Sequence, residues 1–149
     1  DEGNAEIARR HFDDSPYGHL IELKVGDGME ALRGMEGGQY DVVFLDANKK
    51  QYANYLRLML DLDVLRVGGL LIVDNVMWKG RVVELQHLSE EERVELSHSR
   101  QKRGVMSLVE SDKYALAMHA FNEYARGEER VSVTVLPVRD GLSLIRRVK

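Results

Sequence analysis

Two short apolar runs each end in a carboxylate: Asp41-Val42-Val43-Phe44-Leu45-Asp46 and Leu70-Leu71-Ile72-Val73-Asp74-Asn75. Runs this short and this apolar, rich in β-branched and aromatic residues, are the pattern of strands buried on both faces. Between them, residues 51–62 place Tyr52, Tyr55, Leu56, Met59 and Leu60 near one face at helical spacing. Strand, helix, strand over this length predicts a parallel pair joined by a right-handed crossover. This constrains the fold more than any other feature of the chain.

The flanking segments extend the alternation. Residues 5–12 carry Ala5, Ile7, Ala8 and Phe12 on one face of a helix that ends near Asp14-Ser15-Pro16. Leu20-Ile21-Glu22-Leu23-Lys24-Val25 alternates like a strand and stops at Gly26-Asp27-Gly28; a short helix over 29–33 follows. Gly68-Gly69 is expected to break the chain before the second apolar run. The most polar stretch is 79–112. Within it Ser89 and Glu92 have capping-box spacing for a charged surface helix reaching about Arg103. A helix over 112–126, closed by Gly127, precedes two strands joined by Pro137-Val138-Arg139-Asp140-Gly141, a loop short enough for a hairpin. The expected order is α-β-α-β-α-β-α-α-β-β, a mainly parallel α/β sheet that finishes in an antiparallel hairpin. No internal repeat is visible.

Composition narrows the function. The 149 residues are 44% hydrophobic and 31% charged, enough for one domain with a core. A net charge of −4 gives no sign of a phosphate-backbone binder, so no nucleic-acid partner is expected. With no cysteine, thiolate metal sites and disulfides are excluded; this fits a reducing compartment, and a cytoplasmic location is expected. No apolar run is long enough to span a membrane. His11, His19, His87, His98 and His119 show no ligand spacing. Asp1 opens directly into a helical pattern, without an initiator Met, a signal peptide or a leading strand. The chain is therefore expected to be the C-terminal part, residues 1–149, of one longer domain whose first strands lie upstream.

In open parallel sheets, ligands bind beyond the carboxyl ends of the strands. Three polar ends lie on that edge in this reading: Gly26-Asp27-Gly28, Asp46-Ala47-Asn48-Lys49 and Asp74-Asn75. Asp46, Asp74 and Asn75 form an all-oxygen set that suits Mg²⁺, with Ca²⁺ or Mn²⁺ as alternatives. Each Asp alone is equally a helix N-cap. Lys49 opposes the dipole of the helix it opens, and a nearby metal together with that dipole would push its pKa down toward that of a useful base. A solvated surface lysine is the plain alternative, and Lys50 competes for the role. Trp78, the one Trp, can wall a planar substrate or serve only as packing. Gly26-Asp27-Gly28 can admit a flat ligand or form a simple turn.

Three separated stretches resemble the cation-dependent O-methyltransferases, the group of caffeoyl-CoA and catechol O-methyltransferases. They are Tyr40-Asp41-Val42-Val43-Phe44-Leu45-Asp46-Ala47-Asn48-Lys49, then Gly68 through Val82, then Leu136-Pro137-Val138-Arg139-Asp140-Gly141-Leu142. The resemblance covers nearly the whole chain and lies nearer the caffeoyl-CoA branch. It implies a class I methyltransferase Rossmann-like fold and S-adenosylmethionine as cofactor. It implies a divalent cation on Asp46, Asp74 and Asn75, and a small-molecule vicinal diol as acceptor. Lys49 then takes the general-base position, with Asp46 also catalytic. Asp27 and Gly28 lie beside the adenine, Asp46 near the methionine part, and Trp78 near the acceptor. Asn48 stands where members often carry Asp, which bears on acceptor choice. A homodimer is expected. The glycine-rich cofactor loop and the acidic ribose ligand are expected upstream of Asp1. A charged insertion over 81–111 is expected to shape the acceptor site. A non-catalytic partner module and an RNA-base methyltransferase are the competing readings.

Overall fold

The computed structural model describes residues 2–35, 37, 40–85, 87–98 and 108–149. It comprises two compact units, Asp1–Met35 and Glu36–Lys149.

In the first unit, α1 (Glu2–Asp13) buries Ala5, and α2 (Gly28–Arg33) buries Leu32. Between them, Gly18–Leu20 forms a single 3₁₀ turn, and residues 21–25 pair with no strand among the described residues. The strand expected over 20–25 is therefore not formed. Ile21, Leu23 and Val25 are exposed. Alternation makes a segment fit to join a sheet; the hydrogen bonds of a neighbouring strand make it one.

The second unit is a four-stranded sheet in the order β1-β2-β4-β3, from β1 (Tyr40–Leu45), β2 (Leu65–Asp74), β3 (Val131–Leu136) and β4 (Leu142–Arg147). β1 and β2 run parallel across α3 (Tyr52–Asp61), as the crossover pattern requires. The closing hairpin is antiparallel and inserts β4 between β2 and β3. β2 begins earlier than expected, because Gly68-Gly69 does not interrupt it. The register moves from Tyr40 opposite Leu65 to Val42 opposite Leu70, so the extra residues of β2 bulge out. Gly69 is needed at that bulge: a Cβ there would meet the Arg66 carbonyl oxygen at 2.8 Å and that of Tyr40 at 3.1 Å.

One face of the sheet contributes Leu45, Leu71, Val73 and Ile145 to the core. α3 brings Tyr52, Tyr55, Leu56, Met59 and Leu60, the residues its periodicity selects. α6 (Leu108–Gly127) packs against α3, α4 (Arg81–Leu85), α5 (Glu90–His98) and β3, and buries Ala115, Met118, Phe121 and Ala125. The capping box at the start of α5 forms: the Glu92 N–H donates to Ser89 Oγ at 3.2 Å, and the Ser89 N–H donates to Glu92 Oε2 at 2.7 Å. The rest of that helix, to Arg103, lies outside the described residues. No helix among the described residues is long and apolar enough to cross a membrane.

Candidate active site

The register of β1 and β2 places the first two site residues. Leu45 pairs with Val73, both buried, so Asp46 and Asp74 follow at equivalent positions on adjacent parallel strands. Neighbouring strands are about 4.8 Å apart, so the two carboxylates leave the same sheet edge side by side. Asn75 comes next, with φ of 63°. Asparagine is one of the few side chains that tolerates this left-handed conformation. The N–H of Asn75 donates to Asp74 Oδ1 at 2.7 Å.

Beyond β1 the chain tightens into a 3₁₀ turn, Lys49–Gln51, capped by Asn48, whose side chain accepts from the Lys50 N–H at 3.2 Å. A 3₁₀ turn has three residues per turn, so side chains three apart line up. Asp46, Lys49 and Tyr52 have that spacing and form a chain of contacts. The Lys49 ammonium donates to Asp46 Oδ1 at 2.5 Å and to the Tyr52 hydroxyl at 2.6 Å. That hydroxyl donates to the Leu45 carbonyl oxygen at 3.3 Å. Lys49 is mostly buried, with 11% of its side chain exposed against 54% for Asp46.

The pairing with Asp46 and Tyr52 sets the charge of Lys49 in this structure. Burial works to lower its pKa, but the hydrogen bonds to Asp46 and Tyr52 outweigh burial, and the pKa is raised above the ordinary lysine value. Lys49 is a paired ammonium in this state. Burial also raises the Tyr52 pKa. Spacing alone points to Tyr52, but its face of α3 reads as plain core, and the two uses coincide.

The loop after β2 is held by the hairpin turn. Trp78, Lys79 and Gly80 also have positive φ, at 42°, 54° and 79°. The Met77 N–H donates to the Asp140 carbonyl oxygen at 2.9 Å, and the Val76 N–H to that of Gly141 at 3.1 Å. The Asp140 side chain accepts from Asn75 Nδ2 at 3.4 Å and from the Lys79 N–H. From the other side, Asn122 of α6 donates to the Val76 carbonyl oxygen at 2.9 Å. A cleft of about 670 Å³ opens over this loop, lined by Asp74, Asn75, Lys79, Arg139, Asp140 and Leu142, among others. Asp46, Lys49 and Trp78 are not in its lining.

Trp78 packs against Tyr114 of α6, ring centroids 5.0 Å apart and planes tilted by 42°. The Lys50 ammonium lies 5.6 Å from the centre of the Tyr114 ring. Helical periodicity alone does not reveal these contacts of Tyr114. In the first unit, Asp27 is the N-cap of α2, its Oδ1 accepting from the N–H groups of Met29 and Glu30 at 2.9 and 3.0 Å. The turn reading of Gly26-Asp27-Gly28 is thus realised, with Gly28 opening the helix.

A family model described as O-methyltransferase matches residues 1–148. The chain belongs to the O-methyltransferase family. It is 29% identical over 150 residues to caffeoyl-CoA O-methyltransferase 3 of Nicotiana tabacum, an alignment covering 97% of this chain and 54% of that protein. Among solved structures, a methyltransferase of Podospora anserina with bound SAH is 27% identical with a TM-score of 0.72, covering 93% of this chain and 54% of that one. An O-methyltransferase of Streptomyces achromogenes reaches a TM-score of 0.74 at 23% identity, over 100% of this chain and 59% of its own. The fold is that of class I S-adenosylmethionine-dependent methyltransferases. The chain spans about half the length of the curated relatives it matches.

Proposed function

We propose that this chain is the C-terminal part of a single S-adenosylmethionine-dependent methyltransferase domain that methylates a hydroxyl of a small vicinal diol, catechol-like or caffeoyl-like. The observation that carries this reading is the side-by-side exit of Asp46 and Asp74 from adjacent parallel strands, followed by Asn75, in a chain whose residues 1–148 match the family model. Among the described residues no three His, Cys, Asp or Glu side chains gather into a metal-binding group. The donors here are two carboxylates and one amide carbonyl, and that chemistry fits a hard cation with water or substrate oxygens completing its shell. Asp46, Asp74 and Asn75 would hold Mg²⁺, with Ca²⁺ or Mn²⁺ as alternatives. Bound there, the cation would supply Lewis acidity to a chelated hydroxyl.

The chain's own residues divide the remaining work. Lys49 handles the proton of the acceptor hydroxyl. It holds one proton against Asp46 in the described state, so it accepts another only after giving that one up. Tyr52 keeps the amine aimed at the strand end. Trp78 and Tyr114 offer an aromatic wall for a planar acceptor, and exposed Asn48 borders the same strand end. Asp27 and Gly28 are assigned to the adenine of the cofactor, and the SAH bound to the Podospora anserina relative supports the cofactor's identity. Orientation of both reactants, more than any single group, would supply the rate. The reading is completed by a homodimer in the cytoplasm.

Calorimetric titration of Mg²⁺ into the full-length protein tests the cation site, and absence of any divalent-cation binding would sink it. Asp74→Ala should abolish diol methylation, by at least about 100-fold, with the fold intact by circular dichroism. Full activity in that variant would remove Asp74 from the site.

A further inference from the structure

An asparagine side chain has two unlike ends, and only its carbonyl oxygen can ligate a cation. What decides which end of Asn75 faces the cleft is therefore part of the site. Asn75 Nδ2 points to Asp140 Oδ2 at 3.4 Å. A carboxylate only accepts hydrogen bonds, so the reversed amide would set oxygen against oxygen. The other carboxylate oxygen of Asp140 accepts from the Lys79 N–H. One side chain thus grips both ends of a loop in which Asn75, Trp78, Lys79 and Gly80 all have positive φ. That backbone is costly for non-glycine residues and persists where surrounding contacts over-determine it.

Asp140 is itself well placed. It lies between Arg139, at φ of 51°, and Gly141, at φ of 81°. The two backbone hydrogen bonds to Met77 and Val76 fix the turn to the loop. Gly141 has no room for a side chain: a Cβ would lie 2.4 Å from Met77 Cγ and 2.9 Å from the Met77 nitrogen. Asn75 and Asp140 both line the cleft.

We propose that Asp140 is a positioning residue that sets the Asn75 amide with its oxygen toward the cleft, and thereby sets the strength of cation binding. This rests on the cation reading of Asp46, Asp74 and Asn75. The pair has a property that separates positioning from structural support. Asp140→Asn keeps an acceptor oxygen for the Lys79 N–H but offers Asn75 a donor. The Asn75 amide then turns its oxygen away from the cleft while the loop stays closed. Adding Asn75→Asp reverses the hydrogen bond and returns an oxygen to the cation.

The test is calorimetric Mg²⁺ titration of the full-length wild-type, Asp140→Asn and double Asp140→Asn/Asn75→Asp proteins, with metal-free thermal unfolding of each. Asp140→Asn should weaken Mg²⁺ binding by about 10- to 100-fold, the effect typical of an outer-shell partner. Its metal-free midpoint should fall by no more than a few degrees, and the double variant should recover most of the affinity. Wild-type affinity in Asp140→Asn would overturn the proposal and leave the cation site standing. Failure of the wild-type protein to bind Mg²⁺, Mn²⁺ or Ca²⁺ would overturn both. If Asp140→Asn is badly destabilised, the double variant decides: recovered affinity supports the proposal, and unrecovered affinity overturns it.

Discussion

At the end of β1 the chemistry is arranged by side-chain charge, and at the end of β2 by backbone. Asp46 is half exposed and meets Lys49 through one ion pair, which rotation about side-chain bonds can open. Asp74 and Asn75 lead into a left-handed loop fixed by two backbone hydrogen bonds to the 138–141 turn, by Asp140, and by Asn122 of α6. The end of β1 can exchange partners without moving the chain, while the end of β2 holds its polar groups in one geometry. The proposed site, which would accept an ion and a substrate and orient them, has use for both.

The sharpest way to break the fixed end is to add one carbon atom. Gly141→Ala places a methyl group against Met77 in a conformation that L-residues avoid. Overpacking and the left-handed backbone together should cost about 3 kcal/mol. Urea unfolding measures this, and a loss under about 0.5 kcal/mol would mean that the turn and the loop are not tightly joined. Cation affinity should fall with it, since the variant separates Asp140 from Asn75.

The adjacency of Asp46 and Asp74 was legible in the sequence because its signals are local. Apolar runs ending in Asp, with one helix between them, imply adjacent parallel strands, and the register then aligns Asp46 with Asp74. What local pattern does not carry is partnership. Residues 20–25 alternate like a strand but pair with no strand among the described residues. Gly68-Gly69 looks like a break, yet the pairing of Tyr40 with Leu65 carries the strand through it as a bulge. Asp140 reads as an ordinary turn residue because its partners, Asn75 and Lys79, are more than sixty positions away. The partners of Lys49 are likewise absent from the dipole argument: its hydrogen bonds to Tyr52 and Asp46 together outweigh burial.

The exchangeable end is tested by Tyr52→Phe. The variant keeps the edge-to-face contact with Phe121, centroids 5.6 Å apart, and deletes only the hydroxyl. The Leu45 carbonyl and the Lys49 ammonium each lose a partner, so stability should drop by about 1 kcal/mol. With one of the groups that raise it gone, the Lys49 pKa should fall, and ¹⁵N or ¹³C NMR of the side chain reads this directly. An unchanged Lys49 titration would leave Asp46 as the sole electrostatic partner of that lysine.

The smallest effect is expected away from both ends, at an ion cluster that shares their side-chain chemistry but none of their function. Glu128 pairs with Arg130 at 2.8 Å, and Arg130 with Asp61 at 2.7 Å. The Arg130 hydrogen bonds lower the Glu128 pKa to about 2. A carboxylate with a depressed folded pKa contributes stability above its unfolded pKa, and that contribution is lost as pH falls. The window here runs from about 4.5 down to about 2. Glu128→Gln should therefore cost about 1 kcal/mol or less at neutral pH, and nothing once pH lies below that window. It should leave Mg²⁺ affinity unchanged, whereas Asp140→Asn should change affinity and leave stability nearly alone. Urea midpoints of wild type and Glu128→Gln measured from pH 7 to pH 2 should converge at the acid end. A constant gap would mean that the cluster stabilises by packing and not by charge, and the contrast with the Asp46–Lys49 pair would then rest on that pair alone.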